Sequence, residues 1–115
     1  MKCSAYFGEI TEQQKNNWKD GEYNWRDVIK EPICLIGKGH ELLYHGSEYF
    51  DDKIKVDWGS FAWKCSAAQI LSFLCDFKTT LSWLINDEEE LIKDVKEYIA
   101  SRENVEFGVL FIEEI

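Results

Sequence analysis

The chain is predicted to form one α+β domain, a mostly antiparallel or mixed sheet covered by helices with its last strand inside the sheet. Three observations predict this. At 115 residues with 45% apolar content, a chain can bury roughly 65% of its unfolded surface around one core without a disulfide or metal. The elements follow the order β-α-α-β-β-β-β-α-α-β, and such a cluster of strands with helices before and after it suits a sheet covered by helices. The closing segment "VEFGVLFIEEI" alternates at first and then turns wholly apolar from Val109 to Ile112, as a strand buried on both faces does.

Taken in order, "MKCSAYFGEI" is an opening strand in which Cys3, Ala5 and Phe7 alternate with Lys2, Ser4 and Tyr6. "TEQQKNNWKDG" is a short helix with Thr11 and Gln14 in capping-box spacing and Gly21 as its stop. "YNWRDVIKEP" is a second short helix, capped by Asn24, with Trp25, Val28 and Ile29 on one face and Pro32 at its end. "ICLIG" is a short strand. "ELLYHG" is its partner across a "GKGH" turn, with a helical turn as the alternative. "DDKIKVDWGS" alternates Ile54, Val56 and Trp58 with Lys53, Lys55 and Asp57 and ends in a Gly-Ser turn. "FAWKC" places Phe61, Trp63 and Cys65 on one face.

Ser66 and Gln69 form a second capping box. It opens a helix whose stripe is Ala67, Ile70, Leu71, Leu74 and Cys75. "TTLSWLIN" is apolar and fits more than one element. The clearest helix is "DEEELIKDVKEYIASREN". Asn86 caps it, and Asp87, Glu88, Glu89 and Glu90 sit at the positive end of the dipole. Leu91, Ile92, Val95, Tyr98 and Ile99 form its buried face. No repeat or linker interrupts residues 1–115, which are one domain.

Charge narrows the partners. The formal net charge is −9, and residues 86–115 hold 10 acidic against 3 basic side chains. A nucleic-acid binder needs a basic footprint, and none is visible. An anionic membrane surface is disfavoured on the same ground. A basic protein partner is attracted and steered by such a charge. No apolar run reaches the ~18 residues of a membrane span. The opening segment has no long apolar stretch and does not read as a signal peptide. The expected location is the cytoplasm. Four cysteines without a C-x-x-C pair fit that compartment as reduced, core-filling thiols rather than metal ligands.

The stretch "LIGKGHELLYHG" holds both histidines and invites a catalytic or metal reading. His40 and His45 are five residues apart, a spacing that points them to opposite faces of a strand and ~140° apart on a helix. Neither element makes them co-ligands of a metal. Gly37-Lys38-Gly39-His40 lacks the order of a phosphate-binding loop, which needs Ser or Thr after its lysine. It reads as a turn whose glycines reach positive φ. No serine occupies a G-x-S-x-G elbow. Asp51-Asp52 and Glu113-Glu114 are adjacent along the chain, so their side chains diverge if extended. No cofactor is implied, and the chain is expected not to be an enzyme.

Five tryptophans in 115 residues are the remaining oddity. Trp25, Trp63 and Trp83 sit in amphipathic patterns and suit a core, whereas Trp18 follows a polar helix. "SEYFDD" and "VDWG" join aromatic rings to carboxylates, as protein-binding surfaces do. In size, acidity and tryptophan content the chain resembles bacterial immunity proteins, including those of contact-dependent growth inhibition and related polymorphic toxin systems. The resemblance implies a non-catalytic inhibitor that neutralises a basic toxin domain, such as a nuclease, by occluding it. Immunity proteins share no motif, so it assigns no residue. The residues themselves suggest partner-binding carboxylates Glu48, Asp51, Asp52 and Asp57, with Tyr49, Phe50 and Trp58 as anchors. Asp87 to Glu90 form the competing acidic surface. A second reading is a small-molecule or small catalytic site in the Gly37–Gly46 region, lined by Tyr44, His45, Trp58 and Trp63. A third is an oligomer-forming protein, should the closing strand lie at a sheet edge.

Overall fold

A computed structural model of the chain describes residues 2–57, 59–78 and 85–114. Trp58, Trp83 and most of "TTLSWLIN" lie outside the described residues. The strands are β1 (Lys2–Ile10), β2 (Ile29–Cys34), β3 (Asp51–Asp57), β4 (Ser60–Cys65) and β5 (Phe107–Glu114). They form one antiparallel sheet in the order β2-β1-β5-β4-β3. The helices are α1 (Glu12–Asn16), α2 (Gly39–Tyr49), α3 (Ala67–Asp76) and α4 (Ile85–Ala100).

The position of β5 explains its composition. It pairs with β1 from Lys2↔Glu114 to Glu9↔Phe107 and with β4 from Phe61↔Phe111 to Cys65↔Phe107. Phe107, Val109 and Phe111 enter the larger core beneath α2, α3 and α4, with Phe7, Leu42, Phe73, Leu74 and Val95. Leu110 faces the other way, toward Val28, Ile29, Ile54, Val56 and Ala62. Trp18 and Tyr23, from the segment after α1, cover this second core. With both faces of β5 buried, every position from 109 to 111 must be apolar. The closing strand is central, so the edge-strand route to oligomers does not apply to it.

The β3 edge is covered and the β2 edge is blunted. Gly21 N–H donates to Lys55 O (2.9 Å) and Tyr23 N–H to Val56 O (2.7 Å), while Lys55 N–H donates to Asp20 Oδ1 (2.7 Å). Residues 20–23 thereby occupy the free side of β3. At the far edge, β2 carries Pro32 and a bulge at Glu31, whose φ is +50°. A proline on an edge strand costs no interior ladder bond and blunts the edge.

Two segments depart from the sequence expectation. Residues 24–32 are not a helix: a 3-10 turn at Trp25–Asp27 leads straight into β2. Val28 and Ile29 are buried in the second core, and so short an apolar trio fits either period. "ELLYHG" is not a strand but the middle of α2. Its inward residues Gly39, Leu42 and Gly46 keep the three- and four-residue spacing of a helix, and Phe50 continues it. "GKGH" is therefore no hairpin turn. Leu35 accepts a hydrogen bond from Lys38 N–H (3.1 Å) in a turn that ends where α2 begins.

The capping signals divide. Ser66 and Gln69 make both bonds of a capping box on α3, while Thr11 accepts the bond from Gln14 N–H that caps α1. The long helix begins at Ile85, so Asn86 lies inside it rather than ahead of it. Its other end is tied to the β2 bulge. The Tyr98 hydroxyl accepts from Glu9 N–H and donates to Lys30 O, both at 2.9 Å. Arg102 pairs with Glu9 (2.6 Å) and Glu31 (2.5 Å).

Candidate functional site

The glycine-rich stretch resolves into structural parts. Gly37 has φ +76°, which an L side chain adopts only with strain. It sits third in the Leu35–Lys38 turn, the position that demands a positive φ in a type II turn. Gly39 packs against the backbone of Cys3, and Gly46 against the ring of Trp63. Lys38 is 3% exposed and donates to Glu88 Oε1 and to Phe77 O, both at 2.6 Å. The lysine thus faces inward and is neutralised by a carboxylate of α4, which leaves no phosphate-binding role for it.

The histidines diverge on α2, as five residues on a helix must. His40 is exposed. His45 stacks on Phe77 (centroids 4.9 Å apart), and its Nδ1 lies 3.0 Å from Glu48 Oε2. Among the described residues, no three His, Cys, Asp or Glu side chains come together as a metal would require. Tyr44 is 70% exposed and Trp63 2%, so these two proposed walls of a Gly37–Gly46 pocket do not face a common space.

The seven partner-binding candidates fall into different environments. Phe50 is 3% exposed, its ring beside Phe73 and Tyr49 in the core, and it offers no surface for a partner. Tyr49 is half-buried over Phe73 and Phe77, and its hydroxyl donates to Asp76 Oδ2 (2.5 Å). That bond to a carboxylate, with some burial, holds its phenol above the ordinary tyrosine pKa. Glu48 is exposed on α2. Trp58 lies outside the described residues. Asp57 closes β3, about 17 Å along the strand from Asp52 at ~3.3 Å per residue. It lines a separate cleft of about 510 Å³ with Tyr23, Arg26, Ser60 and Glu113.

Asp51 and Asp52 do come together. In a regular strand they would point to opposite faces. Here the β3–β4 register slips between Asp51 and Ile54, and Asp52 takes φ +53°. The bulge breaks the alternation, and both residues line one open cleft of about 500 Å³. The other walls are Lys64 and Cys65 of β4, Ser66, Ala67 and Gln69 at the start of α3, and Val105, Glu106 and Phe107 leading into β5. Side-chain and backbone bonds fix the two aspartates. Gln69 Nε2 donates to Asp51 Oδ2 (3.0 Å) while its Oε1 accepts from Ser66 N–H (2.9 Å). The Trp18 indole N–H donates to Asp52 O. Lys64 pairs with Asp51 in the ladder, yet its ammonium leans over the Trp18 ring, 5.8 Å from the centroid.

Glu106, Val105 and Gln69 had no local signal as site residues. The β4–β5 register, Cys65↔Phe107, carries the 105–107 segment to β3 and α3 across about 40 residues of sequence. Cys65 is the one thiol of the cleft wall, and burial pushes its pKa far up, so it is a protonated thiol and not a nucleophile. No disulfide joins the four cysteines; Cys34 and Cys75 are exposed and Cys65 is buried. In a thiol-labelling time course, Cys34 and Cys75 are expected to react within minutes and Cys65 only with global unfolding. Equal labelling of Cys65 in native protein would contradict the packing.

Compared with known proteins, the chain matches no protein-family model, no curated protein sequence and no solved structure. Among the described residues, no helix is long and apolar enough to cross a membrane.

Proposed function

We propose that this chain is a non-catalytic inhibitor of the immunity-protein type, which binds a basic toxin domain in the cytoplasm and blocks it through an acidic, partly apolar surface. The supporting observation is the pair Asp51 and Asp52, held by Gln69 and by a bulge, facing solvent beside Glu106 in a chain of net charge −9. The Asp51 carboxylate, held by Gln69 before binding, loses little freedom on complex formation, and that favours affinity. Their sign speeds encounter with a cationic surface. A nuclease is one such partner, because its cleft must be positive to hold phosphates. Of the expected anchors Phe50 serves the core; of the expected carboxylates Asp57 lies at the other end of β3, and Glu106 joins Asp51 and Asp52.

The test is coexpression with the basic C-terminal domain of a secreted protein encoded by a neighbouring gene. The two are expected to copurify and the toxin's activity to fall. Asp51→Asn with Asp52→Asn is expected to slow association roughly three- to tenfold at low salt and much less at high salt. Asparagine is the substitution of choice at 52 because it accepts positive φ. A complex indifferent to salt and to both substitutions would overturn the assignment of this surface. Turnover of a small compound by the purified chain would overturn the inhibitor reading itself.

A further inference from the structure

We infer that the cleft between β3, α3 and the 105–107 segment is a receptor for an arginine side chain of the basic partner. The inference rests on the inhibitor reading and specifies which chemistry of the partner this surface meets. The lining has two parts. Asp51, Asp52 and Glu106 supply three carboxylates against one ammonium, that of Lys64. Val105, Ala67 and Phe107 supply apolar surface, and Val105 is among the few large apolar side chains left exposed, at 37%. Among the described residues, no hydrogen bond or ion pair engages the carboxylates of Asp52 and Glu106, and Asp51 spends one oxygen on Gln69.

A guanidinium suits this lining better than the alternatives. Its donors form a planar fork that serves several carboxylate oxygens at once, and it sheds water more readily than an ammonium. Its three-methylene stem lies along apolar surface while the charged head stays among acceptors. An anionic or purely apolar ligand would leave the three carboxylates uncompensated. The volume, about 500 Å³, admits the side chain together with the backbone that carries it. The cleft is open to solvent, so each contact is modest and the affinity for an isolated arginine is weak.

The experiment titrates the full ¹⁵N-labelled chain with the capped tripeptide acetyl-Gly-Arg-Gly-amide, followed by two-dimensional NMR. Its isostere with neutral citrulline is titrated in parallel. Saturable shifts are expected at Asp51, Asp52, Ser66, Gln69, Val105 and Glu106, with the arginine peptide binding about tenfold more tightly than citrulline. Asp52→Asn and Glu106→Gln are each expected to weaken arginine binding about two- to fivefold, the range of exposed ion pairs. Unchanged spectra away from the cleft verify that these variants fold. Arginine-selective shifts mapping instead to the exposed acids of α4 (Glu89, Glu90, Asp94, Glu97) would overturn the cleft and leave the inhibitor reading standing. Equal response to arginine and citrulline everywhere would remove both the cleft and the acidic-surface basis of that reading.

Discussion

Gly39→Ala is expected to destabilise the protein by about 3 kcal/mol or more, at or beyond the upper end of overpacking costs. A Cβ at this position would stand 2.4 Å from Cys3 O and 2.6 Å from Cys3 C. Those are backbone atoms of β1 at a position laddered to β5 through Cys3↔Glu113, ahead of the pairing with β2 that starts at Tyr6. A flexible side chain could swing away from the new methyl; the backbone of a laddered strand yields far less. The first turn of α2 would have to lift from the sheet and draw Leu42, which is fully buried, out of the core. Gly37→Ala is the control. A Cβ there meets nothing within 4 Å, so its cost is only that of holding alanine at φ +76°, about 1 kcal/mol. Urea denaturation followed by tryptophan fluorescence measures both. Similar costs for the two would mean that the helix–strand approach is looser than the structure has it.

The contrast between these glycines shows where the sequence was legible. Gly37 belongs to a local turn, and its role could be read from its neighbours. Gly39 is set by contact with Cys3, 36 positions away, and nothing within "IGKGHE" announces that. The same division runs through the fold. β5 was readable as a central strand because burial on two faces leaves an uninterrupted apolar run. The Ser66–Gln69 box was readable because both bonds are local. "ELLYHG" reads first as a strand with a helical turn as the alternative, and "YNWRDVIKEP" reads as a helix; each apolar pattern is too short to separate the two periods, and tertiary burial decides. The acidic cleft was half legible. Asp51 and Asp52 stood out as carboxylates, but their convergence depends on a bulge, and Glu106 arrives only through strand register.

Lys38 and Glu88 carry the second large effect. In sequence they look like a turn lysine and a helix-dipole carboxylate; in the structure they form an ion pair at 2.6 Å with side chains 3% and 10% exposed. Glu89 and Glu90, beside Glu88, are exposed, so one structural carboxylate stands next to two solvent-facing ones. The pair joins the turn before α2 to α4, and the lysine's further bond to Phe77 O adds the end of α3. Lys38→Met would leave Glu88 charged, buried and without its cation. Among the described residues, Glu88 Oε2 is already buried without a hydrogen-bond partner and no second cation faces the carboxylate. The expected cost is about 3–5 kcal/mol, the usual consequence of stranding one member of a buried pair. Glu88→Leu strands the lysine and should cost a similar amount. The double variant Lys38→Met/Glu88→Leu removes both charges and fills the space with apolar atoms. It is expected to recover to within about 2 kcal/mol of the parent, the residue being the Phe77 carbonyl that loses its donor. Denaturation midpoints of the four proteins close a double-mutant cycle. Strictly additive losses would show that the two side chains do not depend on each other. A strong coupling together with unchanged partner binding would separate this buried pair, which holds three helices in place, from the exposed carboxylates that meet a partner.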